Sequence, residues 1–157
     1  MSHPNEQLIT DFYTAFNKQD PKPMRAAYAP DAHFSDPAFP NLRGAQVGDM
    51  WTMLCSQAKD FRLEFSDVKA DDTTGSAHWE AWYRFQGKRQ VHNIIDAQFT
   101  FSNGLITRHV DTFDFWRWSR QALGPAGLVL GWTPILRNAV QGQAGKSLAS
   151  WQKKQAA

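Results

Sequence analysis

The dipeptide Asn103-Gly104 constrains this chain more than any other feature. It separates two runs, residues 90–102 and 105–114, in which apolar and polar side chains alternate as they do in β-strands. An Asn-Gly pair suits a type I′ turn, because that turn needs a positive φ at both central residues. The sequence therefore predicts a tight antiparallel hairpin whose register is set by the turn.

Counting pairs back from this turn predicts Gln98 opposite His109 and Asp96 opposite Asp111. Directly opposed residues have Cα atoms about 4.5 to 5.5 Å apart, so the two carboxyl groups would share a face within reach of each other. On a covered face, burial and repulsion would keep one of them protonated near neutral pH. On a solvated sheet the same residues would be plain surface groups, and this alternative stays open.

We expect a two-residue turn at residues 86–87 or 87–88 before this hairpin. Either turn places the same side chains of the preceding strand on the face that carries Asp96. The predicted face joins aromatic and titratable side chains: Trp79, Ala81, Tyr83, His92, Ile94, Asp96, Gln98, His109, Asp111, Phe113 and Phe115. Such a mixture is typical of a pocket for a small hydrophobic ligand. The opposite face is apolar too, which favours a homodimer formed through the outer sheet face: Ile95, Ala97, Phe99, Phe101, Ile106 and Val110.

Helical spacing of apolar residues precedes these strands. It predicts helices over residues 6–17, 22–29 and 45–59, with a short strand over residues 32–35 and alternating patterns from residue 61 onward. Helices followed by an antiparallel meander indicate an α+β fold, with helices packed on one face of a curved sheet. Glycine and proline breaks in the last 40 residues predict short C-terminal helices.

Composition fits one compact domain over residues 1–157, with a core near 5–116 and an extension near 117–157. Cys55 is the single cysteine, which excludes an internal disulfide and a Cys-based zinc site. The N-terminus lacks a signal-peptide pattern, so we expect a cytoplasmic protein. The longest uncharged stretch, residues 121–136, is shorter than the roughly 20 residues a spanning helix needs and is interrupted by Gly and Pro, so no membrane association is expected.

Charge is unevenly distributed along the chain. Residues 115–157 hold six basic and no acidic residues, whereas residues 1–114 hold 11 basic and 15 acidic ones. Without a basic run or a binding motif, this pattern predicts no nucleic-acid partner. The basic segment is either a solvated helix face or a contact with the acidic part of the same or a neighbouring subunit.

Cofactor and metal sites are not expected. The chain has none of the glycine-rich motifs GxGxxG, GxxxxGK or GxSxG. His92, Asp96, His109 and Asp111 share the predicted face, but their spacing differs from the short clips of dedicated zinc sites.

One segment carries a family resemblance: Tyr28, Ala29, Pro30, Asp31, Ala32, Asp36, Pro37, Arg43 and Gly44. It resembles the "Y-x-x-D-A-x-x-x-D-P … G" segment of the SnoaL-like branch of the nuclear-transport-factor-2-like superfamily, which also holds ketosteroid isomerases and limonene epoxide hydrolases. A second match is Ile95-Asp96 followed by Asn103-Gly104-Leu105-Ile106. The resemblance covers roughly residues 5–116.

The resemblance implies a cone, in which a bent sheet wraps around the N-terminal helix and encloses a pocket, and it implies a dimer. Asp36 falls where ketosteroid isomerases have their general base, and Asp96 where they have a carboxylic acid that stays protonated at neutral pH. Asp111 falls where SnoaL-like cyclases place an acid/base aspartate. Phe12 stands where the isomerases have a tyrosine, while Tyr13 lies about 100° further around the helix.

These observations predict an enzyme without a cofactor that transfers a proton on an apolar carbonyl compound, as an isomerase or an aldol-type cyclase. Its catalytic residues would be Asp36, Asp96, Asp111 and His109. Its substrate would contact Phe34, Trp79, Tyr83, His92, Phe113 and Tyr13. The alternative is a non-catalytic module of the same fold that binds a small hydrophobic ligand.

Overall fold

The computed structural model describes residues 3–156, in which the predicted succession of helices and strands is present. The helices are α1 (Pro4–Asn17), α2 (Pro21–Ala26), α3 (Ala45–Gln57), α4 (Phe115–Leu123), α5 (Pro125–Leu130) and α6 (Pro134–Ala156). The strands are β1 (Tyr28–Ser35), β2 (Leu42–Arg43), β3 (Lys59–Ala70), β4 (Thr74–Phe85), β5 (Arg89–Ser102) and β6 (Leu105–Thr112).

The six strands form one sheet in the order β2-β1-β6-β5-β4-β3. Strands β3 to β6 pair as the predicted antiparallel meander, but β1 pairs with β6 in parallel, so the sheet is mixed. This parallel pair joins strands far apart in the chain, a relation that no local pattern specifies. It pairs Ser35 with Val110, which brings the end of β1, and therefore Asp36, beside the C-terminal part of β6.

Helix α1 packs its apolar side against the concave face of the sheet. A capping box at His3 and Glu6 begins the helix, and Ile9, Phe12 and Phe16 are buried in the core. Tyr13 is also fully buried, because α1 is covered on more than one side. The core therefore lies between α1, α3 and the sheet.

The C-terminal region differs from the expected set of short helices. Helices α4 and α5 are short, but α6 runs for 23 residues. Gly142 and Gly145 do not interrupt α6, since a helix interior tolerates glycine at a cost of about 1 kcal/mol each. Leu148 is the buried anchor of α6 on the core.

The expected facing of β5 is wrong, and two single-residue differences explain why. Phe85 pairs with Arg89 across a turn of three residues, where a two-residue turn was predicted. At the other end, Asn103 and Gly104 have the expected positive φ, yet a bulge at Thr107 shifts the register of the β5-β6 pair. Each change moves the strand by one residue and exchanges its two faces.

The two shifts cancel between β4 and β6, so only β5 is inverted. Asp96 pairs with Thr112 and not with Asp111, and His109 lies opposite Phe99 and not Gln98. The set predicted to form an apolar outer face instead lies largely in the core; its buried members are Ile95, Ala97, Phe99, Phe101 and Ile106. That set therefore offers no subunit contact, and the physical ground for a dimer through it is removed.

Candidate functional site

Asp36 lies in the loop that follows β1, and backbone N–H groups of the same loop hold its side chain. Its Oδ1 accepts hydrogen bonds from the backbone N–H groups of Ala38 at 2.7 Å and Phe39 at 2.6 Å. This turn is the local conformation that an Asp-Pro sequence favours. Oδ2 is left for other contacts.

The carboxyl of Asp36 is half-buried. Its pKa is raised from 3.8 to about 7, mainly by burial and in smaller part by the negative charge of Asp111, against the lowering effect of the Phe39 and Ala38 N–H groups. A carboxyl with a pKa near 7 exchanges its proton readily at neutral pH, as a general acid or base must.

A buried chain of four side chains crosses from α3 to β6. Trp51 Nε1 lies 2.9 Å from the Tyr28 hydroxyl, which lies 2.7 Å from His109 Nδ1. His109 Nε2 lies 2.8 Å from Asp111 Oδ1. His109 and Asp111 are almost inaccessible to solvent, at 0% and 4% exposure.

The direction of this chain follows from its first member. An indole N–H can only donate, so the Tyr28 oxygen accepts from Trp51 and its own proton is free to be donated to His109 Nδ1. Nε2 of a neutral His109 then carries the proton and donates it to Asp111. This order of donors and acceptors is consistent with one tautomer of the imidazole, with its proton on Nε2.

Two buried donors near this chain are unpaired within residues 3–156: the hydroxyl of Tyr13 and Nε1 of Trp79. Their rings lie 5.6 Å apart. Burial and the charge of Asp111 raise the pKa of Tyr13 well above 10, so the hydroxyl keeps its proton. Burying a donor without an acceptor costs about 1–3 kcal/mol, which makes unpaired donors indicators of a ligand oxygen.

The structure brings together most of the predicted site residues. The negative charge of Asp111 raises the pKa values of both Asp36 and Tyr13, and the ring of Phe34 packs 5.0 Å from that of His109. The Tyr83 hydroxyl accepts a hydrogen bond from Trp118 at 2.9 Å. Further members of the predicted set, Trp79 and Phe113, are packed in or against the same core.

Asp96 and His92 are placed elsewhere, on the outer face of the sheet. The side chain of Asp96 is 72% exposed and bonds to His78 at 2.9 Å, which is the leading cause of a raised His78 pKa. His92 stacks on Trp82 and lies 2.7 Å from Glu80. The inversion of β5 accounts for both positions.

Sequence reasoning missed several residues of the site: Tyr28, Trp51, Phe99 and Trp118. Tyr28 stands in the segment that carries the family resemblance, and this was the available signal for it. Phe99 was assigned to the wrong face, although its ring lies only 4.3 Å from that of His109. Trp51 and Trp118 have no local pattern that separates them from ordinary core residues.

Helix α6 lies against the Asp36 loop. Gln141 donates to the Pro37 carbonyl at 3.0 Å, and Gln152 donates to Asp49 of α3 at 2.8 Å. Two surface cavities, of about 610 and 340 Å³, are lined by other residues than those of the Asp36 site. Helix α6 thus covers part of the loop that carries the half-buried Asp36.

Within residues 3–156, no three His, Cys, Asp or Glu side chains are arranged to hold a metal ion. None of the helices in that part of the chain is both long and apolar enough to cross a membrane.

Comparison with known proteins agrees with this architecture. A protein of unknown function from Burkholderia pseudomallei, described as NTF2-like, superposes with a TM-score of 0.66 at 18% identity, covering 76% of this chain and 97% of that one. An epoxide hydrolase of the LEH-like type from M. tuberculosis gives a TM-score of 0.66 at 19% identity, covering 81% and 96%. A hypothetical protein with a ketosteroid isomerase-like fold from Catenulispora acidiphila, in complex with trimethylamine, gives 0.66 at 15%, covering 81% and 97%.

No curated protein matches this chain. Residues 9–109, which include most of α1, the Asp36 loop and the sheet as far as His109, match the SnoaL-like domain. Because this match covers more than half of the chain and the helices and six-stranded sheet superpose on those neighbours, the chain belongs to the SnoaL-like family and has the NTF2-like fold shared with ketosteroid isomerase-like proteins.

Proposed function

We propose that this protein is an enzyme that transfers a proton on an apolar carbonyl compound, either as an isomerase or as an aldol-type cyclase. The observation that carries the proposal is Asp36, a half-buried carboxyl with a pKa of about 7 beside the Asp111–His109 pair. Its Oδ1 is occupied by two backbone N–H groups, which leaves Oδ2 to act on the substrate.

In the proposed reaction, Asp36 removes a proton from the carbon next to a carbonyl group, and the electron pair of the C–H bond forms an enolate. The Tyr13 hydroxyl and Trp79 Nε1 supply hydrogen bonds to the enolate oxygen, since both donors are buried and unpaired among residues 3–156. In an isomerase, protonated Asp36 returns the proton to another carbon of the conjugated system. In a cyclase, the enolate carbon attacks a second carbonyl, whose oxygen takes the proton.

Asp111 and His109 have a positioning role in this proposal. The chain from Trp51 through Tyr28 fixes the imidazole, and the imidazole fixes Asp111. The charge of Asp111 contributes to the high pKa of Asp36, which sets the pH range of proton transfer.

Epoxide opening of the kind named for the M. tuberculosis neighbour is less well supported. That chemistry needs an arginine between two aspartates in the pocket. Arg84 and Arg108 are both exposed, and Arg84 forms an ion pair with Asp60.

The second candidate is a module that binds an apolar ligand without chemistry. One observation favours it: Phe12 stands where the related isomerases have a tyrosine. Binding without turnover would distinguish this candidate.

Deuterium incorporation into 2-tetralone in D₂O, followed by ¹H NMR, tests both. The ketone is apolar and has acidic protons next to its carbonyl. We expect the protein to accelerate exchange and Asp36→Asn to reduce that acceleration by about 10²–10⁴-fold, the usual effect of losing a general base. Asparagine can still accept both backbone hydrogen bonds, so the turn is kept.

Asp96→Asn is the matched control, because it makes the same change on the outer face and should leave exchange unaltered. Tyr13→Phe should slow exchange about tenfold or more while leaving the melting temperature equal or higher, since it removes a buried unpaired hydroxyl. Full exchange activity in Asp36→Asn would refute the mechanism. Saturable binding of 2-tetralone without exchange would favour the binding module.

A further inference from the structure

The larger surface cavity, of about 610 Å³, lies where α4 crosses the start of β5 and away from the Asp36 site. Its lining is basic and amide-bearing: Arg89, Gln90, Arg117, Arg120 and Gln121. The volume lies within the range typical of small-molecule pockets. None of these residues takes part in the proposed proton transfer.

The fold brings the three arginines together from separate elements. Arg117 and Arg120 are three residues apart in α4 and therefore project from the same side of the helix. Arg89 begins β5, and its Nε donates to the Gln121 carbonyl at 2.8 Å, which ties the strand to the helix. A Cβ on Gly124 would lie 3.0 Å from the Arg89 guanidinium carbon, so the absence of a side chain there gives Arg89 its room.

These arginines have no carboxylate to neutralise them. Across residues 3–156, the ion pairs of the structure involve other arginines, and none includes Arg89, Arg117 or Arg120. Asp114 caps α4 by accepting from the Arg117 backbone N–H, and no acidic residue follows it in the sequence.

The guanidinium groups also keep unused donors. Nε of Arg117 and Nε of Arg120 are buried and have no hydrogen-bond partner within the described chain. Arg120 is held over the Trp116 ring at 4.0 Å, and Arg117 lies 3.4 Å from His92 Nδ1, contacts that orient both planes without supplying an anion. Three positive charges and two unpaired donors at one cavity favour a ligand with acceptors of high negative charge.

We propose that this cavity binds the phosphoryl group of a small molecule or a lipid headgroup. A phosphate offers several acceptor oxygens in the geometry that guanidinium edges recognise in pairs, and its charge of up to two matches the arginines better than a single carboxylate does. Gln90 and Gln121 add neutral amide donors at the rim. A soluble phosphorylated molecule and a phospholipid headgroup share this chemistry, and separate binding experiments distinguish them.

The lipid source is included because apolar side chains are exposed next to α4. Leu128, Val129 and Trp132 are 55%, 63% and 73% exposed, and Trp116 Nε1 donates to the Leu128 carbonyl, which places them beside the basic cavity. Proteins that lie on membranes combine such side chains with basic residues that contact headgroups.

Titration calorimetry with pyrophosphate at low ionic strength tests the soluble source, and co-sedimentation with phosphatidylglycerol vesicles, against phosphatidylcholine vesicles, tests the lipid source. We expect saturable binding in at least one arm, weakened about tenfold or more by Arg117→Gln and by Arg120→Gln, because each change removes a charged hydrogen-bond donor. Arg120→Lys should restore only part of the affinity, since lysine lacks the planar pair of donors.

Arg108→Gln is the matched control, because it removes the same charge from an exposed position on β6. Equal weakening in Arg108→Gln and Arg120→Gln would show general charge attraction and overturn the site. Absence of binding in both arms would overturn it too, as would citrate binding as tightly as pyrophosphate. Melting temperatures of all variants identify any variant that is partly unfolded. If Arg120→Gln is unfolded, the affinity of the folded Arg120→Lys variant is compared with that of the unsubstituted protein instead.

Discussion

At the scale of single residues, the chemistry depends on how Asp36 is held. Two backbone N–H groups favour its charged form, while burial and Asp111 favour its neutral form more strongly, so its pKa rises to about 7. The same carboxyl in a solvated Asp-Pro turn would be fully ionised at neutral pH. Ionisation of Asp36 is therefore unfavourable in the folded protein, and protonation of Asp36 removes this unfavourable contribution to stability.

The unfavourable ionisation of Asp36 predicts that the free energy of unfolding depends on pH. The unfolded chain releases the Asp36 proton near pH 3.8 and the folded chain near pH 7, so between these values the folded state binds the extra proton. The contribution of Asp36 to the free energy of unfolding is therefore present below about pH 4 and lost as the pH rises to about 7. Asp36→Asn should become more stable relative to the unsubstituted protein across this window, by urea denaturation at pH 5, 6, 7 and 8.

Asp31→Asn, at an exposed aspartate of β1, is the control and should give a curve parallel to that of the unsubstituted protein. Parallel curves for Asp36→Asn as well would show that the Asp36 pKa is ordinary in the folded state.

At the scale of elements, α4 and α5 are joined at unusually close range. A Cβ on Gly127 of α5 would overlap the backbone carbonyl of Ser119 in α4, and Ser119 itself is fully buried. The two short helices therefore depend on a missing side chain at their crossing. This contact also holds α4 in the position that presents Arg117 and Arg120.

Gly127→Ala should destabilise the protein by about 1–3 kcal/mol, because the backbone of α4 must move to admit a methyl group. Gly142→Ala in α6 is the matched change: a Cβ there meets nothing within 4 Å, and alanine should stabilise the helix by up to about 1 kcal/mol. Thermal and urea unfolding measure both. Equal effects of the two substitutions would contradict the close approach of α4 and α5.

At the scale of the whole molecule, α6 lies across the Asp36 loop and α3. It spans from the α5 end of the chain across the Pro37 carbonyl to Asp49 of α3, and one buried side chain, Leu148, anchors it. Three further apolar side chains of α6, Val140, Ala144 and Trp151, pack against the core but are only partly buried. A helix held by so little buried apolar surface is of the kind that opens locally. We expect opening of α6 to widen access to Asp36, because Gln141 of α6 contacts the loop that carries it.

Leu148→Ala should loosen this cover. We expect a loss of about 2–5 kcal/mol in the anchoring of α6, faster hydrogen exchange along α6, and little change in the exchange of β5 and β6. If α6 limits access, binding of 2-tetralone should also become faster. Lys146→Ala, at an exposed position of the same helix, should change neither quantity; uniform acceleration of exchange throughout the protein would show that Leu148 supports the whole core instead.

The sequence by itself determined the features that depend on neighbours along the chain. Helical spacing identified α1 and α3, the Asn103-Gly104 pair identified its turn, and the family segment identified the Asp36 loop. The inward facing of Trp79, Tyr83, His109 and Asp111 was also predicted, since alternation within β4 and within β6 is a local property.

Only the tertiary structure decided which side of β5 faces the core, and hence that Asp96 is a surface residue and Asp111 pairs with His109. The physical reason is that side-chain facing has a period of two, so one residue in a turn or a bulge reverses an entire strand, while the sequence pattern of β5 is apolar on one face and mixed on the other. The parallel pairing of β1 with β6, the position of α6 and the unpaired donors of Tyr13, Trp79, Arg117 and Arg120 likewise arise from contacts between distant segments.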